Sequence, residues 1–245
     1  RGLGDVYKRQ IVMGVQTLMT AMFNSMNAGI GNLVAEGDKR KIMSVFAELF
    51  SIRFLFSCIM CFGVLMITPA FVSFWIGKKY VMDSLSLLLM TAILFVNLSR
   101  TTVDAYINAY GLFGDIWAPI VEASLNVGLS IILGYYFGLH GVLSGVLISL
   151  LLVVFCWKPY YLFRKGLDER LSIYIFMYAR HLMAALLCGV IVCLGMRYSM
   201  VQGDTTFFDG LLGILVFSIL STLTLLCVAP GMRNLMRRFI RMCHV

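Results

Sequence analysis

The stretch Leu85–Asn108 reads LSLLLMTAILFVNLSRTTVDAYIN. Its first half is almost wholly apolar. Its later polar residues, Asn97, Arg100, Thr101, Asp104 and Asn108, fall at offsets 0, 3, 4, 7 and 11, which is one face of an α-helix. A helix of this length and character crosses the roughly 30 Å hydrocarbon core of a bilayer at about 1.5 Å per residue. Long apolar runs joined by short basic connections recur on either side, from Ile11 to the C-terminus. Hydrophobic residues make up 60% of the 245 residues and charged residues only 13%, with a mean hydropathy of +0.91. An ordinary globular chain carries roughly 25% charged residues. The expected fold class is therefore all-α integral membrane, a polytopic helical bundle.

Spans of about 20 apolar residues are expected at seven places: Ile11–Val34, Phe46–Ile76, Leu85–Asn108, Trp117–Phe137, Gly141–Tyr161, Ile173–Met196 and Phe207–Val228. The second and third exceed a simple perpendicular crossing and call for tilt or an interfacial extension. Barrel strands would alternate polar and apolar residues over about ten positions, and these runs do not.

Basic residues in the connections orient the bundle. With the C-terminus in the cytoplasm, Lys39, Arg40, Lys41, Lys158, Arg164, Lys165, Arg170, Arg233, Arg237, Arg238 and Arg241 lie inside, and only Lys78, Lys79 and Arg197 outside. The formal charge of +8 is then a matter of topology and needs no nucleic-acid partner. Anionic lipid head groups are a secondary partner for the basic tail. The opening RGLGDVYKRQ, residues 1–10, differs in character from the rest of the chain and resembles a translated assembly scar. The parse is thus 1–10 scar, 11–166 main bundle, 167–232 two further C-terminal spans, and 233–245 basic cytoplasmic tail.

Cys58, Cys61, Cys156, Cys188, Cys193, Cys227 and Cys243 are scattered, mostly within apolar runs. The CxxC pair Cys58 and Cys61 has neither a second pair nor a nearby His, so the cysteines are expected to be packing residues with no metal site. His140, His181 and His244 lie far apart near span ends and are expected at interfaces. No nucleotide loop, HExxH, GxSxG or EF-hand pattern is present. No catalytic residue and no cofactor are expected.

Polar stripes mark three helices. Gln16, Thr17, Thr20, Asn24 and Asn27 share one face of the first span, the set around Arg100 one face of the third, and Glu122, Asn126 and Ser130 one face of the fourth. Arg100 and Asp104 form an i,i+4 pair that lowers the cost of charge at depth. Two readings are open: the pair glues helices together, or the stripe lines a hydrated cavity. Arg53, with Ser57 and Cys61 at steps of four, has a similar pair of readings. It snorkels to the interface, or it faces a cavity and suits an anionic, phosphate-bearing substrate. Gly134, Gly138, Gly141 and Gly145 flank a short turn at Leu139 and His140 and permit close helix approach.

Two motifs resemble a known family. Gly31-Asn32-Leu33-Val34-Ala35-Glu36-Gly37-Asp38-Lys39-Arg40-Lys41 is similar to a cytoplasmic-end signature of bacterial polysaccharide flippases in the multidrug/oligosaccharidyl-lipid/polysaccharide exporter superfamily. Pro119-Ile120-Val121-Glu122-Ala123-Ser124-Leu125-Asn126 with Ser130, followed by Gly138, Gly141-Val142-Leu143, Gly145 and Trp157-Lys158-Pro159-Tyr160-Tyr161, resembles two consecutive helices and their cytoplasmic exit in those flippases. The last two spans match by hydropathy alone.

The resemblance implies that the chain is the C-terminal part of a two-lobe transporter of about 12–14 helices, in the bacterial inner membrane, whose N-terminal lobe lies outside this sequence. It implies flipping of an undecaprenyl-pyrophosphate-linked oligosaccharide by alternating access, with no covalent bond changed. From stripe geometry, Arg53 and Arg100 are candidates for the anionic group, and Asn97, Asn126, Gln16, Asn24 and Asn27 for the rest of the cavity and its sugar hydroxyls. Asp104 and Glu122 are candidates for coupling to H+ or Na+. A drug or small-metabolite exporter of the same superfamily is the nearer alternative. A membrane-embedded polymerase or acyltransferase is the more distant one, since the connection Met196–Thr206 holds only Arg197 and Asp204 as charges.

Overall fold

The structure is a computed structural model that describes residues 2–75, 77–115, 117–200 and 207–243. Asp204 and His244, and the side chains of Lys8, Arg9, Thr20 and Arg197, lie outside the described residues. Every regular element among the described residues is helical: α1 (Gly2–Glu36), α2 (Lys39–Trp75), α3 (Ser84–Ser99), α4 (Thr101–Ala109), α5 (Trp117–Leu150), α6 (Lys158–Leu162), α7 (Leu171–Met200), α8 (Phe207–Val228) and α9 (Pro230–Cys243). Residues 2–10 continue α1. Wide turns at Leu151–Trp157 and Phe163–Leu167 flank α6 and keep the chain helical from α5 to Leu167.

Local chemistry sets the helix ends. Gly37, at φ 75°, stops α1 in the left-handed conformation and donates its N–H to Val34 O at 3.2 Å. Asp38 then caps α2, its Oδ1 accepting from the backbone of Arg40 (3.0 Å) and Lys41 (3.2 Å). Asp83 caps α3 by accepting from Ser86 N at 3.1 Å.

Among the described residues, five stretches are long and apolar enough to cross a membrane: Lys39–Trp75, Ser84–Ala109, Trp117–Leu167, Leu171–Met196 and Asp209–Val228. That is fewer than the seven expected, for two reasons. The helix holding Ile11–Val34 is not among them, and Trp117–Leu167 contains both the fourth and the fifth expected spans. Gly138 breaks that run at φ 59°, ψ −134°, and the two arms fold back on one another. A Cβ on Gly134 would lie 2.8 Å from Val142, one on Gly145 would lie 2.6 Å from Ser130 N, and one on Gly141 would strike the Leu133 carbonyl. Position sums near 275 in all three pairs define an antiparallel hairpin, with Gly141 and Gly145 where backbone meets backbone.

Aromatic side chains mark both ends of this hairpin. Tyr135, Tyr136 and Phe137 stand out beside the turn, while Trp117 packs edge-on to Trp157 at 4.7 Å at the other end. From Trp117 to Tyr136 the helix rises roughly 28 Å, close to the hydrocarbon thickness, as expected of interfacial aromatic belts.

By packing, the chain forms two compact units, residues 1–42 with 82–173, and residues 43–81 with 174–245. In the first, α1 lies along α3 and α4, α5 along α3, and α6 against α4. Val96, Leu150 and Val154 are buried at its centre among Ile93, Val146 and Leu147. In the second, Phe50 and Phe54 of α2 meet Tyr174, Tyr178 and His181 of α7 at 5.3–6.0 Å between ring centroids. His181, expected at an interface, is instead 0% exposed, with Nδ1 2.7 Å from Met177 O and Nε2 3.0 Å from Ser51 Oγ. Partners for both ring nitrogens are what permit its burial.

Candidate functional site

The polar face of α3 and α4 organises the first unit. Part of it turns back on its own backbone: Asn97 Nδ2 donates to Ile93 O at 3.0 Å, and Thr101 Oγ1 to Leu98 O at 2.8 Å. Arg100, at the junction of α3 and α4, points away from the backbone. Its Nε lies 3.4 Å from Asp104 Oδ2 and its Nη1 3.7 Å from Glu122 Oε1 on α5. Lys158, at the start of α6, donates to Asp104 Oδ1 at 2.7 Å. Four side chains from α4, α5, α6 and the helix junction thus form a row, Lys158, Asp104, Arg100, Glu122, with alternating charge and none in excess.

The row is neither buried nor free in solvent, since its side chains are between 16% and 30% exposed. Glu122 lies about 8 Å along α5 from Trp117, inside the apolar span and toward its tryptophan end. Charges at such depth are costly unless paired, and each here has an opposite partner. Asn126, one turn beyond Glu122, sits 3.3 Å from Ser130 Oγ. On α1, Gln16 is half-buried, and Asn24 and Asn27 are exposed.

Stripe periodicity nominates nine candidate residues, and all but Arg53 belong to the first unit. Of these, Arg100, Asp104 and Glu122 meet directly. Arg53 is in the second unit and is 1% exposed, on a face shared with Ser57 (0%) and Cys61 (7%). Ser57 Oγ donates to the Arg53 carbonyl at 2.7 Å. In the same unit Glu48 is nearly buried, accepts from Ser44 Oγ at 3.2 Å and pairs with Arg238 of α9 at 3.4 Å.

Sequence reasoning misses the place of Lys158 in the row. Its position after an apolar run and before Pro159 marks it as a loop cation, and nothing in sequence ties it to Asp104. The wide turn Leu151–Trp157 carries the helix past that boundary and delivers Lys158 to α4.

Further charge contacts belong to the first unit, among them one between Lys41 and Glu36. Lys39 pairs with Asp168 at 2.9 Å and holds that carboxyl below its usual range. Asp168 sits beside an open depression of about 590 Å³, lined by Tyr160, Phe163, Arg164, Glu169 and Arg170. At the hairpin turn, His140 Nε2 lies 2.7 Å from Asp83 Oδ2. No group of His, Cys, Asp and Glu that can hold a metal occurs among the described residues.

Comparison with known proteins returns no match, neither to a family model nor to a curated protein nor to a solved structure. The functional reading therefore rests on the two sequence motifs, around Gly37 and around Glu122, and on the charged row.

Proposed function

We propose that the chain forms part of a two-lobe transporter in the bacterial inner membrane, with its C-terminus in the cytoplasm. Its role is to flip an undecaprenyl-pyrophosphate-linked oligosaccharide from the cytoplasmic to the outer leaflet. The observation that supports this best is the charged row at Arg100, held inside an apolar span on a face that carries further amides. Helix glue alone needs one pair. Here two acidic and two basic side chains are assembled and left partly open.

The row also suggests how coupling works. At rest Arg100 is held by Asp104 and Glu122 and is not available to a pyrophosphate. Protonation of Glu122 removes one of its two counter-charges, so Arg100 can turn to the anionic head group while Asp104 keeps Lys158. Proton entry and substrate capture then compete for the same guanidinium, and binding of either is linked to the state of the other. The amides at Asn97, Asn126, Gln16, Asn24 and Asn27 serve the sugar hydroxyls.

The test is flipping of a labelled lipid-linked oligosaccharide in proteoliposomes by the intact two-lobe protein, with and without an imposed proton gradient. Arg100→Ala is expected to abolish flipping, and Glu122→Gln to leave flipping that no longer responds to the gradient. An Arg100→Ala variant that flips normally at normal expression overturns the reading. Efflux of cationic drugs without any flipping favours the small-molecule exporter instead. Neutrality of the row is what keeps that second reading open, because a site with no excess positive charge also admits cations.

A further inference from the structure

Helix α9, PGMRNLMRRFIRMC, takes up most of the segment that the sequence marks as a basic cytoplasmic tail. Its residues divide cleanly around the helix. Met232, Leu235, Met236, Phe239 and Ile240 recur at offsets 0, 3, 4, 7 and 8 and form one apolar stripe. Arg233, Arg237, Arg238 and Arg241 occupy the other side.

The two ends of the stripe are treated differently. Met232 is buried against Leu55, Ala184, Leu225 and Ala229, and Leu235 packs on the same cluster. Beyond it Met236 (39% exposed), Phe239 (62%) and Ile240 (49%) are uncovered. The arginines divide in the same way. Arg238 reaches Glu48, while Arg233, Arg237 and Arg241 have no carboxylate partner among the described residues. Arg180 of α7 adds to the excess, because it lies close enough to Arg233 for the two charges to repel. Its Nε is buried with no hydrogen-bond partner.

The level of the helix is fixed at its start. A Cβ on Gly231 would collide with the Ala47 carbonyl, so α9 leaves the bundle beside residue 47 of α2. That is one residue past Phe46, where the long apolar run of α2 begins. The helix thus emerges where hydrocarbon gives way to head groups, with bare apolar side chains on one face and unneutralised arginines on the other. A soluble polyanion would satisfy the arginines but not Phe239 and Ile240. Lipid satisfies both.

We propose that α9 lies in the membrane surface and binds anionic phospholipid. Arg233, Arg237 and Arg241 hold the phosphates, Arg180 contributes beside Arg233, and Met236, Phe239 and Ile240 enter the acyl region.

The experiment is titration of the purified full chain, in neutral detergent, with phosphatidylglycerol or phosphatidylcholine, counting bound lipids by native mass spectrometry. The expected result is a clear preference for phosphatidylglycerol. Each arginine near an anionic surface is worth roughly fivefold in binding, so Arg233→Gln/Arg237→Gln/Arg241→Gln together should weaken it by on the order of a hundredfold. The corresponding triple change to Lys, which keeps the charge, should retain most of it. Phe239→Ser should weaken both lipids. Equal binding of the two lipids by the unaltered chain overturns the proposal whether or not any variant folds, and so does full affinity in the Gln triple. Complete competition by millimolar inorganic phosphate, or by a short oligonucleotide, would show instead a site for soluble anions and also overturns it.

Discussion

Replacing Asp104 by Asn removes the one carboxylate that serves two cations. Lys158 then loses the partner it touches at 2.7 Å and has no other carboxylate in the row, whereas Arg100 keeps Glu122 at 3.7 Å. Unit charges about 4 Å apart interact by about 4 kcal/mol at an effective dielectric constant near 20. The row is not dry, with Lys158 16% and Asp104 30% exposed. Desolvation and side-chain ordering also offset much of the attraction, leaving about 2 kcal/mol net for this pair. Asp104→Asn should therefore cost about 2–3 kcal/mol, largely because it strands an ammonium group at depth. Lys158→Met strands nothing, since Asp104 still has Arg100, and should cost about 1 kcal/mol. The double variant no longer contains the stranded charge and should be more stable than Asp104→Asn alone. Reversible unfolding in mixed micelles of detergent and SDS, applied to all four proteins, gives the cycle directly. If the two losses simply add, to within about 0.5 kcal/mol, the ion pair is a surface coincidence and the coupling scheme loses its foundation.

Other outcomes depend on single contacts. Gly145→Leu places a side chain against the Ser130 backbone at 2.6 Å and should destabilise by about 1–3 kcal/mol. Gly128→Leu, with nothing within 4 Å, should not, and the two unfolding midpoints make the comparison. Ser51→Ala leaves a ring nitrogen of His181 unpartnered in a fully buried site, at a cost of about 1–3 kcal/mol, while Ser218→Ala on an exposed face should stay within about 0.5 kcal/mol. The hydrogen bond from His140, together with those from Ser86, holds the Asp83 carboxyl below its ordinary range. A depressed carboxyl stabilises the fold above its unfolded value near 3.9 and ceases to do so as pH falls toward the folded one. Thermal melts of the unaltered chain should thus decline below about pH 4, and Asp83→Asn, which can still cap α3, should remove that part of the decline.

Periodicity in the sequence carries a good deal of this structure. Offsets of three and four put Arg100, Asp104 and Asn97 on one face, and the glycine series from Gly134 to Gly145 marks the close hairpin, because both signals are local and repeat with the helix. Arg53 shows the limit of the same logic. Spacing by four says that Arg53, Ser57 and Cys61 share a face, but not whether that face opens to water, and it is in fact enclosed. The contact between Lys158 and Asp104 spans 54 residues and depends on a wide helical turn that no residue pattern announces. Helix α9 is legible in a different way. Its stripe from Met232 to Ile240 is plain once the arginines are set aside, yet their density reads first as a tail.

The turn at Gly138 has a consequence for how the protein is made. Two apolar arms that reverse within about one residue have no hydrophilic loop that could wait on the far side while the second arm is synthesised. They must enter the bilayer together, as one inserted pair, with Gly138 and His140 arriving last at the far surface, beside Asp83. A one-residue insertion there would shift every glycine contact along the hairpin. This turn is accordingly a poor site for an epitope tag, and a place where a length change would block assembly before function was ever tested.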